Sequence, residues 1–265
     1  MGQFRILSYN VHSCIGTDRR HSPERVAHVI ASLKPDIVAL QEIDVGRART
    51  GGIDQAHMLA SQLGMQAFFN ASTRVGPERY GDAILTALPI EIRRTGQLPG
   101  FHDRIRVEPR GALWAQVDVG GHKVQIVNTH LGVWPHEQML QLSALLGPEW
   151  LGHPDCHDPV VFVGDFNAPP GLGPYRHLAS RFTDVQKEWG KRKARPTYPG
   201  RMPTLRLDHV WLRGRAEIRN VEVVRTALAR VASDHLPLVV DLDVRDNARF
   251  LHGTPELARP AGSDA

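Results

Sequence analysis

Eight side chains of this 265-residue sequence share a chemical kind and a kind of place. Asn10 closes the apolar run FRILSYN, Glu42 closes DIVALQE, His130 closes VQIVNTH, and Asp165 with Asn167 closes VVFVGDFN. Asp208 stands within LRLDHVWL, and Asp234 and His235 precede LPLVV. A single polar residue at the end of a strand is ordinary turn chemistry. Eight carboxylates, amides and imidazoles so placed are not, because rigid strand ends are where scaffolds position reacting groups.

The chemistry these types suit is narrow. Glu42 and Asp234 offer carboxylate oxygens and Asn10 an amide oxygen, hard donors that favour Mg²⁺, with Mn²⁺ or Ca²⁺ as alternatives, over zinc. Asp165 and Asn167 are spaced i and i+2, on one side of an extended strand. There the carboxylate can take a proton from water while the amide orients that water or an oxyanion. Asp208 can pair with His235, fixing its tautomer or holding it protonated against an anion. A hard metal, a water-activating carboxylate and a histidine near an anion point to hydrolysis of a phosphate ester.

The elements that must position these residues follow from periodicity. FRILSYNV reads as a strand, and Ser22-Pro23-Glu24 then opens a helix with Val26, Val29, Ile30 and Leu33 on one face. DIVALQE reads as a buried strand, and a second helix is expected from Ile53 to Leu63 with Gly64 as its stop. AILTALPIEI, WAQVDV and HKVQIVNTH read as strands, the last two joined by a Gly120-Gly121 turn. Pro135 opens a third helix through Leu146, and PVVFVGDF, LRLDHVWL, IRNVEVV and LPLVVDLDV complete the strands. Many strands with a few helices between them predict an α/β fold of two packed sheets covered by helices, in one domain over residues 1–244. The tail from Arg245 to Ala265 loses periodicity and is expected to be weakly ordered.

Composition bounds the rest. With 42% hydrophobic and 23% charged residues the chain is an ordinary globular one. No apolar run approaches the roughly 18 residues of a membrane helix, and MGQFRILSYNVHS lacks a signal-peptide core, so a cytoplasmic monomer is the expectation. Cys14 and Cys156 are too few for a disulfide framework and lack a zinc-binding spacing. Trp114, Trp150 and Trp211 lie in or beside apolar runs and read as core, whereas His28, His57, His122 and His153 read as surface. The net charge of +4 is concentrated: Arg181 to Arg201 holds seven basic residues against Asp184 and Glu188. This segment, with Trp189 and Tyr198, reads equally as a solvated loop or as an anion-steering rim with rings for stacking.

The series SYNVH, ALQEID, YGDAILT, NTHLG, GDFNAPPG, LDHVWL and SDHLPL resembles the endonuclease/exonuclease/phosphatase (DNase I-like) superfamily. The order of the motifs from Asn10 to His235 is the family's order, and GDFN with SDH is the specific part. Within it, PTYPGRMPTLRLDHVWL and PRGAL look most like small bacterial members near the sphingomyelinase-like phosphodiesterases. The resemblance implies a four-layer α/β sandwich of two mainly antiparallel sheets flanked by helices. It implies that Glu42 is the main metal ligand with Asn10 beside it, that Asp165 activates or aligns the attacking water, with either Asp165 or a histidine as the base, and that Asn167 supports the phosphate and the water. His235, oriented by Asp208, and His130 would contact the scissile phosphate, and Asp234 would stand near the metal or a second metal.

Three positions fit the pattern less directly. Glu78, in PERYGDAIL, lies where some members carry a carboxylate partner for the histidine equivalent to His130. Asp82 stands where sphingomyelinase-like members often have Asn, and Arg110 resembles an arginine that can reach a phosphate oxygen bidentately. His12, two residues after Asn10, reads as a strand-to-loop histidine before it reads as a site residue. The expected activity is a divalent-metal-dependent phosphoester hydrolase, foremost a phosphodiesterase acting on a small-molecule or lipid-headgroup phosphoester. A Mg²⁺-dependent DNA or RNA nuclease is the alternative, and a catalytically silent scaffold the least favoured, since the whole acidic and imidazole set is present.

Overall fold

Two six-stranded sheets, each with one parallel pair at its centre, make up the fold in a computed structural model that describes residues 2–101 and 107–244. The chain runs β1 (Gly2–Asn10), α1 (Pro23–Leu33), β2 (Ile37–Val45), α2 (Gln55–Leu63), β3 (Gln66–Val75) and β4 (Glu78–Thr86). It continues through β5 (Ile90–Gln97), β6 (Gly111–Val119), β7 (His122–His130), α3 (Pro135–Leu145), β8 (Val160–Asp165) and α4 (Gly173–Ala179). It then passes through β9 (Thr183–Asp184), α5 (Val185–Glu188), β10 (Asp208–Arg213), β11 (Glu217–Val223), α6 (Ala229–Ala232) and β12 (Leu238–Val244). The first sheet has the order β11-β12-β1-β2-β4-β3 and the second β5-β6-β7-β8-β10-β9.

All neighbouring pairs are antiparallel except β1 with β2 and β7 with β8. Each parallel pair is joined by a crossover containing a helix, α1 in the first sheet and α3 in the second, as parallel strands require. Local signals set the helices. Ser22 Oγ accepts the Arg25 N–H at the start of α1, Asp54 caps α2, and Gly64 ends α2 in the left-handed conformation.

Alternation along the strands sorts side chains into layers. In β8, Val161 and Val163 join the main core with residues of the first sheet, while Val160 and Phe162 face the other way among Trp114, Trp211, Leu142 and Leu178. Helices α1 and α2 pack on the first sheet, and α3 and α4 on the second, giving the helix–sheet–sheet–helix sandwich. A buried polar tie crosses the interface. Asn128 of β7 donates to the carbonyls of Leu40 and Ala83 in the first sheet, and Gln41 donates to its Oδ1 at 2.8 Å. Because both ends of the buried Asn128 amide are paired, it fixes how the sheets register instead of penalising it.

The structure corrects parts of the sequence reading. AILTALPIEI is not one strand: Ala87-Leu88-Pro89 breaks it, and β4 and β5 enter different sheets. Strand β3 and helix α4 carry weak periodicity and were not expected. LRLDHVWL is extended in a ladder only from Asp208 onward. Trp114, Trp150 and Trp211 are buried as expected, and both cysteines are buried and free. No helix among the described residues is long and apolar enough to cross a membrane. The expected tail from Arg245 onward lies outside the described residues.

Candidate active site

The carboxyl ends of both parallel pairs meet at one end of the sandwich. Asn10 and Glu42 come from β1 and β2 of the first sheet, and His130 and Asp165, which pair in register, from β7 and β8 of the second. Clefts outside the carboxyl ends of parallel strands are where open α/β sheets place ligands. The residues that seemed misplaced belong here too. Strand β10 runs antiparallel to β8, so its first residue, Asp208, pairs with Asp165. Strand β12 runs antiparallel to β1, so Asp234 and His235, just before it, arrive beside Asn10.

Backbone strain marks the same places. Glu42 has φ +61° at a bulge where the β2–β4 register slips between Leu40 and Ile43. A bulge re-aims a side chain, and a non-glycine residue in this region costs on the order of 1–3 kcal/mol. His12, Ser13, Cys14 and Asn167 share positive φ immediately beyond the ends of β1 and β8. Gln55 holds the first of these turns, donating to the Ser13 carbonyl at 2.7 Å.

Asp165 is the centre of the cluster and is 1% exposed. Its Oδ1 accepts the Asn167 N–H at 2.9 Å, and its Oδ2 accepts Asn10 Nδ2 at 3.0 Å. The same Oδ2 lies 3.4 Å from His130 Nε2 and 3.5 Å from His235 Nε2. Burial pushes the Asp165 carboxyl up to about 6, with the positive charge of His235 opposing and Asp208 reinforcing the rise. Asn10 also donates to Glu42 Oε1 at 2.8 Å, so its amide nitrogen separates the two carboxylates. Its oxygen accepts the His12 N–H at 3.0 Å, which leaves one lone pair.

The two imidazoles differ. His235 Nδ1 lies 2.9 Å from Asp208 Oδ2. Burial disfavours its cation, but Asp208 and Asp165 outweigh burial and raise it to about 10. His130 is held well below the ordinary range by burial, by Arg110 and by His235. Arg110 Nη1 stands 2.9 Å from His130 Nδ1. A guanidinium only donates, so Nδ1 accepts and the proton of the neutral ring sits on Nε2, facing Asp165.

Other expected residues are placed as follows. Asp208 is fully buried, and its Oδ1 has no hydrogen-bond partner among the described residues. Asp234 is partly exposed, with Oδ1 3.9 Å from His12 Nδ1, so His12 belongs to the rim. Asn167 does not continue β8: it turns out of the strand, so the i, i+2 alternation does not apply. Its Nδ2 donates to the Leu131 carbonyl at 3.0 Å and lies 3.1 Å from His130 Nε2. Glu78 does not reach His130. It begins β4 opposite Val75, beyond Glu42, where it accepts the Ala48 N–H at 2.9 Å and faces Arg47. Arg110 occupies the position on His130 expected of an acid, with Glu108 3.2 Å from the same Nη1.

Sequence reasoning missed Glu108, His209 and Arg206. Glu108 lies in a segment without periodicity. His209 is buried behind the GDFN turn, its Nδ1 3.1 Å from Arg206 Nη2 and its Nε2 3.0 Å from the Ala168 carbonyl. Arg206 is in turn ion-paired to Asp184, whose Oδ2 accepts the Tyr175 hydroxyl at 2.6 Å. The adjacent histidine in LDH was the available signal. Asp82 is buried, and burial raises its carboxyl well above the usual range despite Arg110. Of the two rings expected for stacking, Tyr198 packs on His235 at a centroid distance of 4.9 Å, whereas Trp189 packs against the core.

For a hard divalent ion the donor chemistry fits. Glu42 and the remaining lone pair of Asn10 adjoin Asp165, and Asp165, Asp208 and His235 set ligand atoms within 4.8 Å of one another. The Asp208–His235 hydrogen bond and the cationic ring favour the Glu42–Asn10 side of the cluster.

Residues 7–235 match the sequence model of the endonuclease/exonuclease/phosphatase family. Comparison with curated proteins by sequence gives no match. Among solved structures, the chain is similar to the endonuclease/exonuclease/phosphatase from Bacteroides vulgatus, at TM-score 0.74 and 17% identity over 92% of this chain and 99% of that one. It is similar to the catalytic domain of human nocturnin with bound sulfate, at TM-score 0.69 and 21% identity over 91% and 93% of the two chains. It also resembles the mannosyl-6-phosphatase of Bacteroides thetaiotaomicron VPI-5482, at TM-score 0.71 and 18% identity over 91% and 100%. At these identities the neighbours attest the fold, and the sequence match over most of the chain attests the family. The chain belongs to the endonuclease/exonuclease/phosphatase family.

Proposed function

We propose that the protein is a divalent-metal-dependent phosphoester hydrolase, foremost a phosphodiesterase, with Asp165 as the water-activating base. One observation carries this reading: a single buried carboxylate oxygen faces one neutral and one cationic imidazole at 3.4 and 3.5 Å. A base poised near neutrality beside a fixed cation is what in-line attack of water on phosphorus requires.

The steps assigned to the chain's own groups are these. Asp165, ionised above about pH 6, accepts a proton from the attacking water. His235, kept cationic by Asp208, holds a non-bridging phosphoryl oxygen through Nε2–H and balances its growing charge. His130, its tautomer fixed by Arg110, presents a second N–H to the same region. Asn167 locks the Asp165 carboxylate through its backbone N–H and packs its amide against His130. Glu42 and Asn10 would hold the metal, which would supply Lewis-acid polarisation of the phosphate and lower the pKa of the attacking water.

Substrate class is the finer part of the reading. The half-exposed rim of Asp234, His12 and Tyr198 is polar, which suits a small or headgroup-like phosphoester. The name of the Bacteroides thetaiotaomicron neighbour, a mannosyl-6-phosphatase, keeps a monoester in the test set.

Purified protein is assayed with bis-p-nitrophenyl phosphate and p-nitrophenyl phosphate under Mg²⁺, Mn²⁺ or EDTA, followed by phospholipid-headgroup, sugar-phosphate and nucleic-acid esters. Metal-dependent diester turnover that disappears in Asp165→Asn is the expected result. An intact panel under every metal would overturn the reading, while a steep salt dependence with nucleic acid alone would convert it to the nuclease.

A further inference from the structure

A second concave site lies off the catalytic cluster, under the basic segment. Gln186, Trp189, Arg192, Lys193, Ala194 and Arg195 close over the edge strand β11 at Val221, Glu222 and Val223, around a cavity of about 50 Å³. A cavity of that size holds a few waters or one tetrahedral oxyanion, since one water needs roughly 10–15 Å³.

Two lining groups lack what they need. Gln186 is 5% exposed, and its Nε2 has no hydrogen-bond partner among the described residues; the same holds for Trp189 Nε1. Both atoms can only donate. A buried donor without an acceptor costs free energy that an acceptor-bearing occupant returns. Neither side chain is free to swing away. Gln186 Oε1 accepts the Arg195 N–H at 3.0 Å, and the Trp189 ring packs against the main core with Lys191 Nζ 5.9 Å from its centroid.

The charge around the cavity has the matching sign. Arg192, Lys193 and Arg195 line it against a single acid, Glu222. Arg225 adds to the crowding: its Nη2 reaches the Pro196 carbonyl at 3.4 Å, and burial, Arg195 and Arg230 together pull its pKa down. Cations gathered this closely are relieved by an anion.

The cavity stands at the catalytic end of the first sheet. Val223 pairs with Leu238, which pairs with Ser8, two residues before Asn10. The segment that roofs it runs on through Thr197, whose Oγ1 accepts the Asp208 N–H at 3.3 Å, to Tyr198 on His235. From these relations we propose that the Gln186–Trp189–Arg192–Lys193–Arg195 cavity is an anion subsite on the rim, taking one phosphate-like oxyanion. That oxyanion is either a second phosphate carried by the substrate or free phosphate.

Binding is measured apart from turnover. Inorganic phosphate is titrated calorimetrically, at low ionic strength with EDTA, into the full chain carrying His235→Gln, so that the catalytic cluster contributes little. The expected result is one phosphate per chain. Affinity should fall about tenfold when Arg192→Ala and Lys193→Ala are added, and about threefold with Trp189→Phe, which deletes a single N–H donor. The Tm of each variant shows that it is folded. Absence of phosphate binding overturns the proposal, and so does a loss with the basic pair that Trp189→Phe leaves unchanged, since that is diffuse surface charge.

A second arm, which rests on the hydrolytic reading, identifies the source. KM is compared for thymidine 5′-(p-nitrophenyl phosphate) with and without a 3′-phosphate, in wild type and in the Arg192→Ala, Lys193→Ala protein. A KM rise confined to the doubly phosphorylated ester assigns the subsite to the substrate's own second phosphate. Equal KM values beside intact phosphate binding assign it to the free anion. If no ester is hydrolysed, the calorimetric result still stands or falls by itself.

Discussion

His130 and His235 reach the same oxygen of Asp165, at 3.4 and 3.5 Å, yet one is held neutral and the other cationic. The difference comes from what stands on the far nitrogen of each ring. Arg110 faces Nδ1 of His130 and Asp208 faces Nδ1 of His235, so a donor cation excludes charge from one ring and a carboxylate invites it onto the other. Groups whose surroundings drive their protonation states apart are the mark of acid–base machinery.

Replacing Asp165 by Asn keeps the shape and removes the base. We expect kcat on a phosphodiester to fall by roughly 10²–10⁴-fold, the usual span for a positioned acid–base group. The Tm should hold or rise slightly, because a buried carboxylate is relieved; kinetics beside a thermal melt decide it.

The alkaline limb of the pH–rate profile should report His235. In the wild type the ring loses its proton near pH 10, so activity that depends on the cation persists to that pH and declines above it. Asp208→Asn deletes the main favourable charge, and the ring's pKa must fall. The limb should therefore move to lower pH by at least about one unit. An unmoved limb would assign it to another group.

Glu42→Gln tests the metal side of the cluster. The half-saturating Mg²⁺ concentration should rise at least about tenfold, since a neutral amide replaces a charged hard donor. EDTA should abolish turnover in the wild type, and Mg²⁺ should restore it. Equal Mg²⁺ dependence in the two proteins would refute the assignment.

His209 should couple stability to acid. Burial, and next the charge of Arg206, lower it to about 4, against about 6.5 for an ordinary histidine. Its neutral form thus stabilises the fold fully above pH 6.5, and the contribution drains away as pH falls toward 4, because the unfolded chain protonates first. The stability advantage of wild type over His209→Gln should shrink by about 3 kcal/mol between pH 7 and pH 4. Paired urea titrations at the two pH values measure it.

Gly164 precedes Asp165 with φ +144°, and a Cβ there would stand 1.9 Å from the Thr129 carbonyl oxygen. Gly164→Ala should cost about 3 kcal/mol or more, since the clash is with backbone of the neighbouring strand. At Gly171, where a Cβ meets nothing within 4 Å, the same change should cost less. Urea midpoints compare them.

Much of this was legible because strand ends were. An apolar run that stops at a carboxylate locates both the element and the side chain, as with Asp165; at Glu42 the run marked a bulge, and β2 continues to Val45. What was illegible lay in long-range pairing. Asp208 and His235 looked out of place because one strand does not reveal which way its neighbour runs; in antiparallel pairs a strand's start shares an end with its partner's finish. The Pro89 break in AILTALPIEI separates two sheets, a tertiary choice that periodicity does not encode. Glu78 was misplaced for a similar reason: the motif gave its neighbourhood in sequence, while the β2–β4 pairing carries it past Glu42 to the Arg47 turn. The network through His209, Arg206 and Asp184 joins residues whose partners only the folded chain reveals.

The pairing of β12 with β1 sets when the site can exist during synthesis. Gly2 lies against Val244 and Ser8 against Leu238, so the first strand waits for almost the whole described chain before its edge is covered. Contacts this distant in sequence form late and slowly. His235 rides on the segment that completes them, so a nascent chain that stops short of Asp234 has Asn10, Glu42, His130 and Asp165 but lacks the imidazolium that stands opposite His130 on Asp165. A ribosome-held intermediate should be inert, and activity should switch on with the closing of a single edge.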